Sequence, residues 1–270
     1  MSESPYHLSF HEATEPTCIV TIIHGAGEHS GRYDYVREAF AQQQITTVMG
    51  DLPGHGYSRG QRGHIESFDE YVEAALYFLE VARERYGTAL PHVIIGHSMG
   101  GLIAALAVAK ATNQPDLLVL SSPAFGLRMK LSPTRAWLAR VLLPIAPRLM
   151  QPNGIAPQDV TRNQELAVAY GSDPLVSHTV SLRWYFEFTE AMNQILLICH
   201  SIQIPISVWQ GSADRLVDPA SVRHFVETCN HHTITYKEFP GLYHEIFNEP
   251  ERDDVIADII SWIKINLTKD

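Results

Sequence analysis

Apolar and polar positions follow two alternating patterns along most of the chain. Short runs rich in β-branched residues are almost continuously apolar, which predicts strands buried on both faces. Longer segments between them carry apolar side chains at helical spacing; the clearest begins at Asp69, after a helix cap near Ser67. The predicted strands comprise residues 17–23, 45–49, 92–95, 117–120, 206–209 and 233–239, and the predicted helices comprise residues 33–43, 68–86, 100–112, 219–228 and 253–266.

Strands that alternate with helices in this way predict an α/β protein with a mostly parallel sheet covered by helices on both faces. Residues 6–10 predict an additional antiparallel strand at the edge of this sheet. From residue 126 to residue 203 the pattern is helical and rich in proline, and this segment is too long for one crossover connection. We therefore expect a core of residues 1–125 and 204–270, with an inserted helical cap of residues 126–203.

One turn in the chain predicts a reactive serine. An apolar strand leads into Gly96-His97-Ser98-Met99-Gly100, and an alanine-rich helix follows without a gap. This order of strand, Gly-x-Ser-x-Gly turn and helix is typical of a nucleophile elbow, in which a strained turn lifts the serine above the sheet edge. Ser98 is therefore the candidate nucleophile, and a tight turn with a surface serine is the alternative.

The partners of Ser98 should lie at the carboxyl ends of the strands, where ligands bind in open α/β sheets. His244 follows the last predicted strand and comes after Ser98, as the general base does in this architecture. Asp214 follows the preceding core strand and lies between the two in sequence. Asp218 is the alternative acid, although its position suits the cap of the next helix better.

The chemistry of these side chains predicts their roles. His244 would remove the hydroxyl proton as Ser98 attacks an acyl carbon, and Asp214 would fix the imidazole tautomer and stabilise the imidazolium. Backbone N–H groups of Met99 and of Ala26, which lies in a glycine-rich loop after the first core strand, would form an oxyanion hole. The alternative for the glycines of that loop is that they only shape a tight turn.

Composition argues against several other classes of protein. The formal net charge of −10 argues against a nucleic-acid partner. Cys18, Cys199 and Cys229 are odd in number and far apart, so neither a disulfide scaffold nor a structural zinc site is expected. The adjacent His231 and His232 lack a carboxylate partner in sequence, and no metal or cofactor is expected. Without a visible signal peptide or an apolar stretch of about 18 residues, we expect a cytoplasmic protein.

Five motifs lie in the predicted core and cap: His24-Gly-Ala-Gly-Glu-His-Ser-Gly-Arg-Tyr33, Gly54-His-Gly-Tyr-Ser58, Gly96-His-Ser-Met-Gly-Gly101, Tyr170-Gly-Ser-Asp-Pro-Leu175 and Gln210-Gly-Ser-Ala-Asp-Arg-Leu216. Together they resemble the monoacylglycerol lipases, α/β-hydrolases of a branch that also holds lysophospholipases. The resemblance runs from about residue 17 to residue 262 and is weakest in the cap. It implies the α/β-hydrolase fold, the triad of Ser98, Asp214 and His244, and oxyanion donors at Ala26 and Met99.

The resemblance further implies that Glu28, Arg32 and Tyr170 surround a pocket for the glycerol head group. The family often has a histidine three residues after the catalytic one, where this chain has Phe247. This difference predicts weaker selection of a polar head group and a wider range of accepted alcohols. An ion pair that holds the oxyanion loop is the alternative role for Glu28 and Arg32, and it is compatible with substrate contact.

The implied activity is hydrolysis of esters of single-chain lipids, above all of monoacylglycerol to glycerol and fatty acid through an acyl-enzyme. The alternatives are a lysophospholipase or broad-specificity carboxylesterase, a peptidase for N-terminal prolines, and a ligand receptor or scaffold with little turnover. Residues 128–150 contain five basic residues, no acidic one and many apolar ones. This segment predicts either peripheral contact with anionic membranes or a cap helix whose apolar face packs on the sheet domain.

Overall fold

A computed structural model describes residues 4–128, 133–229 and 234–268. Its strands are β1 (Leu8–His11), β2 (Cys18–Ile23), β3 (Ile45–Gly50), β4 (His92–His97), β5 (Leu117–Ser121), β6 (Met150–Pro152), β7 (Thr179–Ser181), β8 (Ile206–Gly211) and β9 (Ile234–Phe239). Its α-helices are α1 (Asp34–Gln42), α2 (Asp69–Tyr86), α3 (Met99–Lys110), α4 (Pro133–Leu142), α5 (Pro157–Val160), α6 (Gln164–Ser172), α7 (Leu182–Ile198), α8 (Pro219–Cys229) and α9 (Arg252–Leu267).

Within the described ranges, seven strands form one sheet in the order β1-β3-β2-β4-β5-β8-β9. All neighbouring pairs are parallel except β1 and β3, so the predicted antiparallel edge strand is confirmed. The predicted core strands and helices agree with the structure to within two residues at each end, apart from residue 233, which lies outside the described ranges. The predicted α/β fold with a mostly parallel sheet is therefore confirmed.

Helices cover both faces of the sheet, as predicted. Apolar side chains of α1 and α9 pack on one face, and those of α2, α3 and α8 pack on the other. The central strands β2, β4, β5 and β8 are buried along their whole length, which explains their almost continuously apolar sequences. Burial of this apolar surface is the main stabilising contribution to the fold.

The segment between β5 and β8 contains helices α4 to α7, together with the short antiparallel pair of β6 and β7. The sequence predicted helices but no strand here, and that prediction was wrong for β6 and β7, because three-residue strands are too short to show a periodic pattern. Helix α7 packs on the sheet domain: Trp184, Phe188 and Ile195 belong to the same apolar cluster as α3. None of the helices in the described ranges is long and apolar enough to span a bilayer.

A disulfide bond joins Cys199, at the end of α7, to Cys229, at the end of α8, with their Cα atoms 5.7 Å apart. The cysteine count did not predict this bond, because a spacing of 30 residues matches no motif and only the fold brings the two thiols together. The third cysteine, Cys18, is buried in β2, and burial raises the pKa of its thiol to about 12. His231 and His232 lie outside the described residues.

Candidate active site

Ser98 occupies the sharp turn between β4 and α3. Its backbone has φ 55° and ψ −122°, in the left-handed range of φ that a residue with a Cβ adopts rarely and at a cost in energy. The turn is held from both sides, since Ser98 N donates to Ser121 O and Ala124 N donates to Ser98 O, each at 2.9 Å. A strained turn fixed in this way is what the Gly-x-Ser-x-Gly pattern predicted.

The glycines of the turn permit a backbone approach that side chains would block. A Cβ on Gly100 would overlap the carbonyl oxygens of Ile23 and His24, and a Cβ on Gly96 would overlap the backbone of Gly100. The first turn of α3 therefore packs directly on the end of β2. This contact brings Ser98 next to the loop of residues 24–28, which we call the oxyanion loop.

The structure brings Ser98, His244 and Asp214 together, although 146 residues separate the serine from the histidine. His244 Nε2 lies 2.8 Å from Ser98 Oγ, and His244 Nδ1 lies 2.8 Å from Asp214 Oδ2. Asp214 follows β8 and His244 follows β9, so both come from the carboxyl ends of neighbouring strands. The imidazole therefore bridges a hydroxyl and a carboxylate, which is the arrangement that activates a serine nucleophile.

Hydrogen bonds to Asp214 fix the roles of its two oxygens. Oδ1 accepts from Leu216 N at 2.8 Å and Val217 N at 2.9 Å, while Oδ2 accepts from Gln210 Nε2 at 2.9 Å and faces His244 Nδ1. An ionised carboxylate is acceptor-only, so His244 carries its proton on Nδ1. His244 Nε2 is therefore free to accept the hydroxyl proton of Ser98. Sequence reasoning did not identify Gln210 as a partner of Asp214, because its role depends on this contact.

Burial and charge act in opposite directions on these groups. Burial alone would raise the pKa of Asp214, but His244 and the backbone amides outweigh it and hold that pKa below its ordinary value. Burial alone would lower the pKa of His244, but Asp214 outweighs it and raises that pKa. The pair therefore favours an ionised carboxylate beside an imidazole that takes up a proton readily.

Asp218, the alternative acid, lies apart from this arrangement. Its Oδ1 accepts from Ala220 N at 3.1 Å in the turn that begins α8, and its backbone carbonyl accepts from Ser221. These are the contacts of a residue that caps the start of a helix. His97 is buried with its ring 4.9 Å from that of His244, but its Nδ1 lies 3.1 Å from Ser121 Oγ and so is not in the proton path.

The oxyanion loop is held at several points around Ala26. Gly25 N donates to Glu28 Oε1 at 2.5 Å, Gly27 N donates to His55 Nε2 at 3.1 Å, and Gly27 O accepts from Ser177 N at 2.8 Å. Ala26 lies between the two engaged N–H groups. Met99 is the first residue of α3, where the backbone N–H has no acceptor within the helix.

Two neutral histidines hold this loop in place: His24 belongs to the loop, and His55 contacts it. Burial lowers the pKa of His55 to about 3, and burial also lowers the pKa of His24. Their rings lie 5.1 Å apart, and His24 Nε2 accepts from Leu52 N at 3.0 Å. Each neutral ring can thus offer an unprotonated nitrogen to a backbone N–H group, as His55 does to Gly27 N.

The residues implied by the family resemblance lie beside the oxyanion loop. Arg32 binds Glu28 and also Glu245, and its guanidinium lies 4.6 Å from the centre of the Tyr170 ring. Phe247 is buried, with its ring 6.5 Å from that of Tyr33. The ion pair between Glu28 and Arg32, one of the two roles considered from the sequence, is therefore present. Sequence reasoning missed Glu245, and no local motif singles it out.

Comparison with known proteins agrees with this geometry. The family model Hydrolase_4, described as serine aminopeptidase, S33, matches residues 14–251. The chain is 38% identical over 247 residues to phospholipase YtpA of Bacillus subtilis, covering 90% of this chain and 94% of that protein. It is 34% identical over 258 residues to a monoacylglycerol lipase of Mycolicibacterium smegmatis, covering 94% of this chain and 90% of that protein.

A solved structure extends the likeness to three dimensions. The monoacylglycerol lipase of Paleococcus ferrophilus superposes with a TM-score of 0.85 at 30% identity, covering 97% of this chain and 99% of that one. The resemblance to monoacylglycerol lipases that the motifs indicated is thus confirmed, as is the α/β-hydrolase fold. The family model and these relatives span most of the chain, and the chain therefore belongs to the Hydrolase_4 family of α/β-hydrolases.

Proposed function

We propose that this protein is a serine hydrolase that cleaves esters of single-chain lipids, above all monoacylglycerol, to fatty acid and glycerol. The observation that carries the proposal is the bridge of His244, 2.8 Å from both Ser98 Oγ and Asp214 Oδ2. The lipid substrate is supported by the relative from Mycolicibacterium smegmatis named monoacylglycerol lipase and by relatives from Rattus norvegicus and Homo sapiens named monoglyceride lipase. The relative named as a phospholipase supports a lysophospholipase as the second candidate.

The first half of the reaction acylates Ser98. As Ser98 Oγ attacks the ester carbonyl carbon, His244 Nε2 takes the hydroxyl proton, and Asp214 stabilises the resulting imidazolium. Collapse of the tetrahedral intermediate breaks the bond between the acyl carbon and the alcohol oxygen. His244 gives its proton to that oxygen, and the alcohol leaves.

The second half of the reaction repeats these steps with water. His244 takes a proton from water as the water oxygen attacks the acyl carbon, and it returns a proton to Ser98 Oγ as the fatty acid leaves. The negative oxygen of both intermediates needs N–H donors. Ala26 N–H and Met99 N–H are proposed for this role, because the N–H groups of Gly25 and Gly27 are engaged with Glu28 and His55.

We further propose that residues 126–203 act as a cap that shields the acyl chain and contacts membranes. Trp137 and Ile145 are 67% and 79% exposed, whereas an apolar helix face packed on the sheet domain would be buried. Leu138, Val141 and Leu149 are also exposed, and so are the basic side chains of Arg140 and Arg148. Exposed apolar and basic groups in one short segment suit the interface of an anionic bilayer. The protein itself is proposed to be cytoplasmic, with this contact reversible.

A substrate panel tests the proposed function. We would measure kcat/KM for monoacylglycerols, diacylglycerols, lysophospholipids, p-nitrophenyl esters and proline p-nitroanilide with the wild type and with Ser98→Ala. Monoacylglycerol should give the highest kcat/KM, rising about fourfold for each acyl CH₂ that the protein buries on binding. The Asp214→Asn variant should lose about 10⁴-fold in kcat, whereas the matched Asp218→Asn should keep its activity.

The panel separates the candidate functions. A higher kcat/KM for lysophospholipids than for monoacylglycerols would identify the protein as a lysophospholipase. Cleavage of proline p-nitroanilide alone would indicate a peptidase. Ester hydrolysis that survives in Ser98→Ala would overturn the assignment of the nucleophile. Equal losses in Asp214→Asn and Asp218→Asn would overturn the assignment of the acid.

A further inference from the structure

A buried cluster of three charges lies beside the site. Arg32 Nη1 donates to Glu28 Oε2 at 2.9 Å and to Glu245 Oε1 at 2.7 Å, and Arg32 Nη2 donates to Glu245 Oε2 at 2.8 Å. The three side chains are only 5–9% exposed. Two carboxylates and one guanidinium give the cluster a net charge of −1.

The cluster joins two loops that the proposed reaction uses. Glu28 holds the oxyanion loop through Gly25 N, and its Oε1 also accepts from Tyr33 Oη at 2.8 Å. Glu245 directly follows His244, and its own N donates to Val160 O at 2.7 Å. Arg32 therefore connects the loop that contains Ala26 to the segment that contains His244.

Among the described residues, the other groups around His244 do not offset the negative charge of the cluster. Burial and His244 itself lower the pKa of His97 to about 4, which leaves His97 neutral, and burial raises the pKa values of Tyr33 and Tyr170. Arg32 lowers the pKa of Glu28 to about 2 against the effect of burial, so Glu28 is ionised. In the described part of the chain, the titratable and charged groups around His244 are Asp214, Glu245, His97, Glu28, Arg32 and Tyr33, and Tyr170 lies against Arg32.

We propose that Glu245 is a positioning residue of this site. Held by Arg32, its carboxylate stabilises the imidazolium that His244 forms when it takes the proton of Ser98. The same contact fixes His244 relative to the oxyanion loop. The inference rests on the proposed function, because it requires His244 to act as the base.

Two further observations favour this role over contact with a substrate head group. Glu245 and Glu28 both add to the effect of Asp214 in raising the pKa of His244, against the burial that lowers it. The cavity beside the cluster, lined by Glu28, Arg32 and Glu245 among others, has a volume of only about 10 Å³. That volume holds about one water molecule and no glycerol.

The pH dependence of kcat/KM tests the proposal in Glu245→Gln. Glutamine keeps the size of the side chain and removes one negative charge, so the imidazolium loses stabilisation. We expect the acid limb of the profile to move to lower pH by about 0.5–1 unit and the plateau to fall by up to about tenfold. In the conservative variant Glu245→Asp, the acid limb should stay within about 0.2 pH unit of its wild-type position, because the negative charge remains.

Glu249→Gln is the matched control. Glu249 lies in the same segment, is fully buried and binds Arg162 Nε at 2.5 Å, but it is not part of the cluster. Its substitution should lower the thermal stability and leave the acid limb in place. An unchanged limb in Glu245→Gln would contradict the proposal and leave Glu245 a structural role only.

A second variant covers the case in which Glu245→Gln does not fold. Glu28→Gln removes the same unit of charge from the cluster. The acid limb of its kcat/KM profile should also move to lower pH. An acid limb at the wild-type pH would again contradict the proposal. If the proposed function itself were wrong, the result would differ from these outcomes, because Ser98→Ala would retain ester hydrolysis. The two failures are therefore distinguishable in one set of assays.

Discussion

At the scale of single residues, the site depends on hydrogen bonds that leave each group one chemical role. Asp214 accepts from two backbone N–H groups and from Gln210, so its remaining capacity is directed at His244 Nδ1. That contact leaves His244 Nε2 as the acceptor for Ser98. The arrangement thus exists before a substrate binds, which is the condition for efficient general-base catalysis.

Gly100 offers a test of the close contact between the elbow and the oxyanion loop. In Gly100→Ala, the new Cβ would overlap the carbonyl oxygens of Ile23 and His24, where β2 leads into that loop. We expect urea denaturation to show a loss of about 1–3 kcal/mol in the free energy of unfolding, together with a lower kcat. Gly171→Ala in α6 is the control, and its unfolding free energy should change by less than about 1 kcal/mol. Equal effects of the two substitutions would contradict this account.

Some roles could be predicted from the sequence and others could not. Ser98, Asp214 and His244 could be nominated, because each follows a recognisable strand and the parallel sheet gathers strand ends at one edge. The contact of Arg32 with Glu245 spans 213 residues, and no local pattern encodes it. Gln210 was visible as part of a motif, yet its donation to Asp214 depends on the conformation of the turn after β8.

At the scale of elements, the oxyanion loop is held by segments from two parts of the chain. His55, in the loop after β3, accepts from Gly27 N, and Ser177, which precedes β7, donates to Gly27 O. His29 Nε2 also lies 3.0 Å from Asp173 Oδ2, at the end of α6. The geometry of the loop therefore depends on the segment between β5 and β8 as well as on the sheet.

The neutral state of His55 predicts acid sensitivity. Burial lowers the pKa of His55 to about 3, below its unfolded value of about 6.5, so the unfolded chain binds more protons between these pH values. Its contribution to stability is complete above about pH 6.5 and is lost as the pH falls toward 3. Between pH 7 and pH 5, wild type should lose about 2 kcal/mol more unfolding free energy than His55→Gln.

Urea denaturation across this pH range checks the prediction. The control is His224→Gln, which changes an exposed histidine of α8. Its unfolding free energy should change between pH 7 and pH 5 by the same amount as that of wild type. If the unfolding free energy of His55→Gln changed with pH as much as that of wild type, His55 would titrate alike in the folded and unfolded chain, and the prediction would be wrong.

The strands and helices of the core could be predicted because their packing agrees with the local pattern of apolar residues in the sequence. The core strands are apolar throughout and the helices between them are amphipathic, so length and periodicity distinguish them. The pair of β6 and β7 was not predictable, since Met150–Pro152 contains a proline and pairs with a segment far along the chain. The disulfide between Cys199 and Cys229 was missed for the same reason: α7 and α8 become neighbours only in the fold.

At the scale of the whole molecule, the proposed membrane contact rests on the exposed apolar surface of α4 and of the turn after it. Trp137 and Ile145 would insert at the interface of a bilayer, and Arg140 would remain near its charged head groups. The bulk of the protein carries net negative charge, so attraction to an anionic surface would be local to this region.

Vesicle co-sedimentation tests this membrane contact. Wild type should bind vesicles of phosphatidylglycerol and phosphatidylcholine, and the double variant Trp137→Ser with Ile145→Ser should bind at least about fivefold more weakly, because it buries less apolar surface. Tyr57 is 70% exposed but lies in the sheet domain, so Tyr57→Ser is the control and should bind like wild type. Equal binding by all three proteins would rule out the contact through α4.

The central claim is that His244 activates Ser98 for covalent catalysis, and covalent labelling tests it most directly. After reaction with a fluorophosphonate, mass spectrometry of the digested protein should find a single modified residue, Ser98. The rate of labelling should fall by at least about 10³-fold in His244→Ala, because the hydroxyl then lacks its base. Modification at another residue, or undiminished labelling of His244→Ala, would contradict the account.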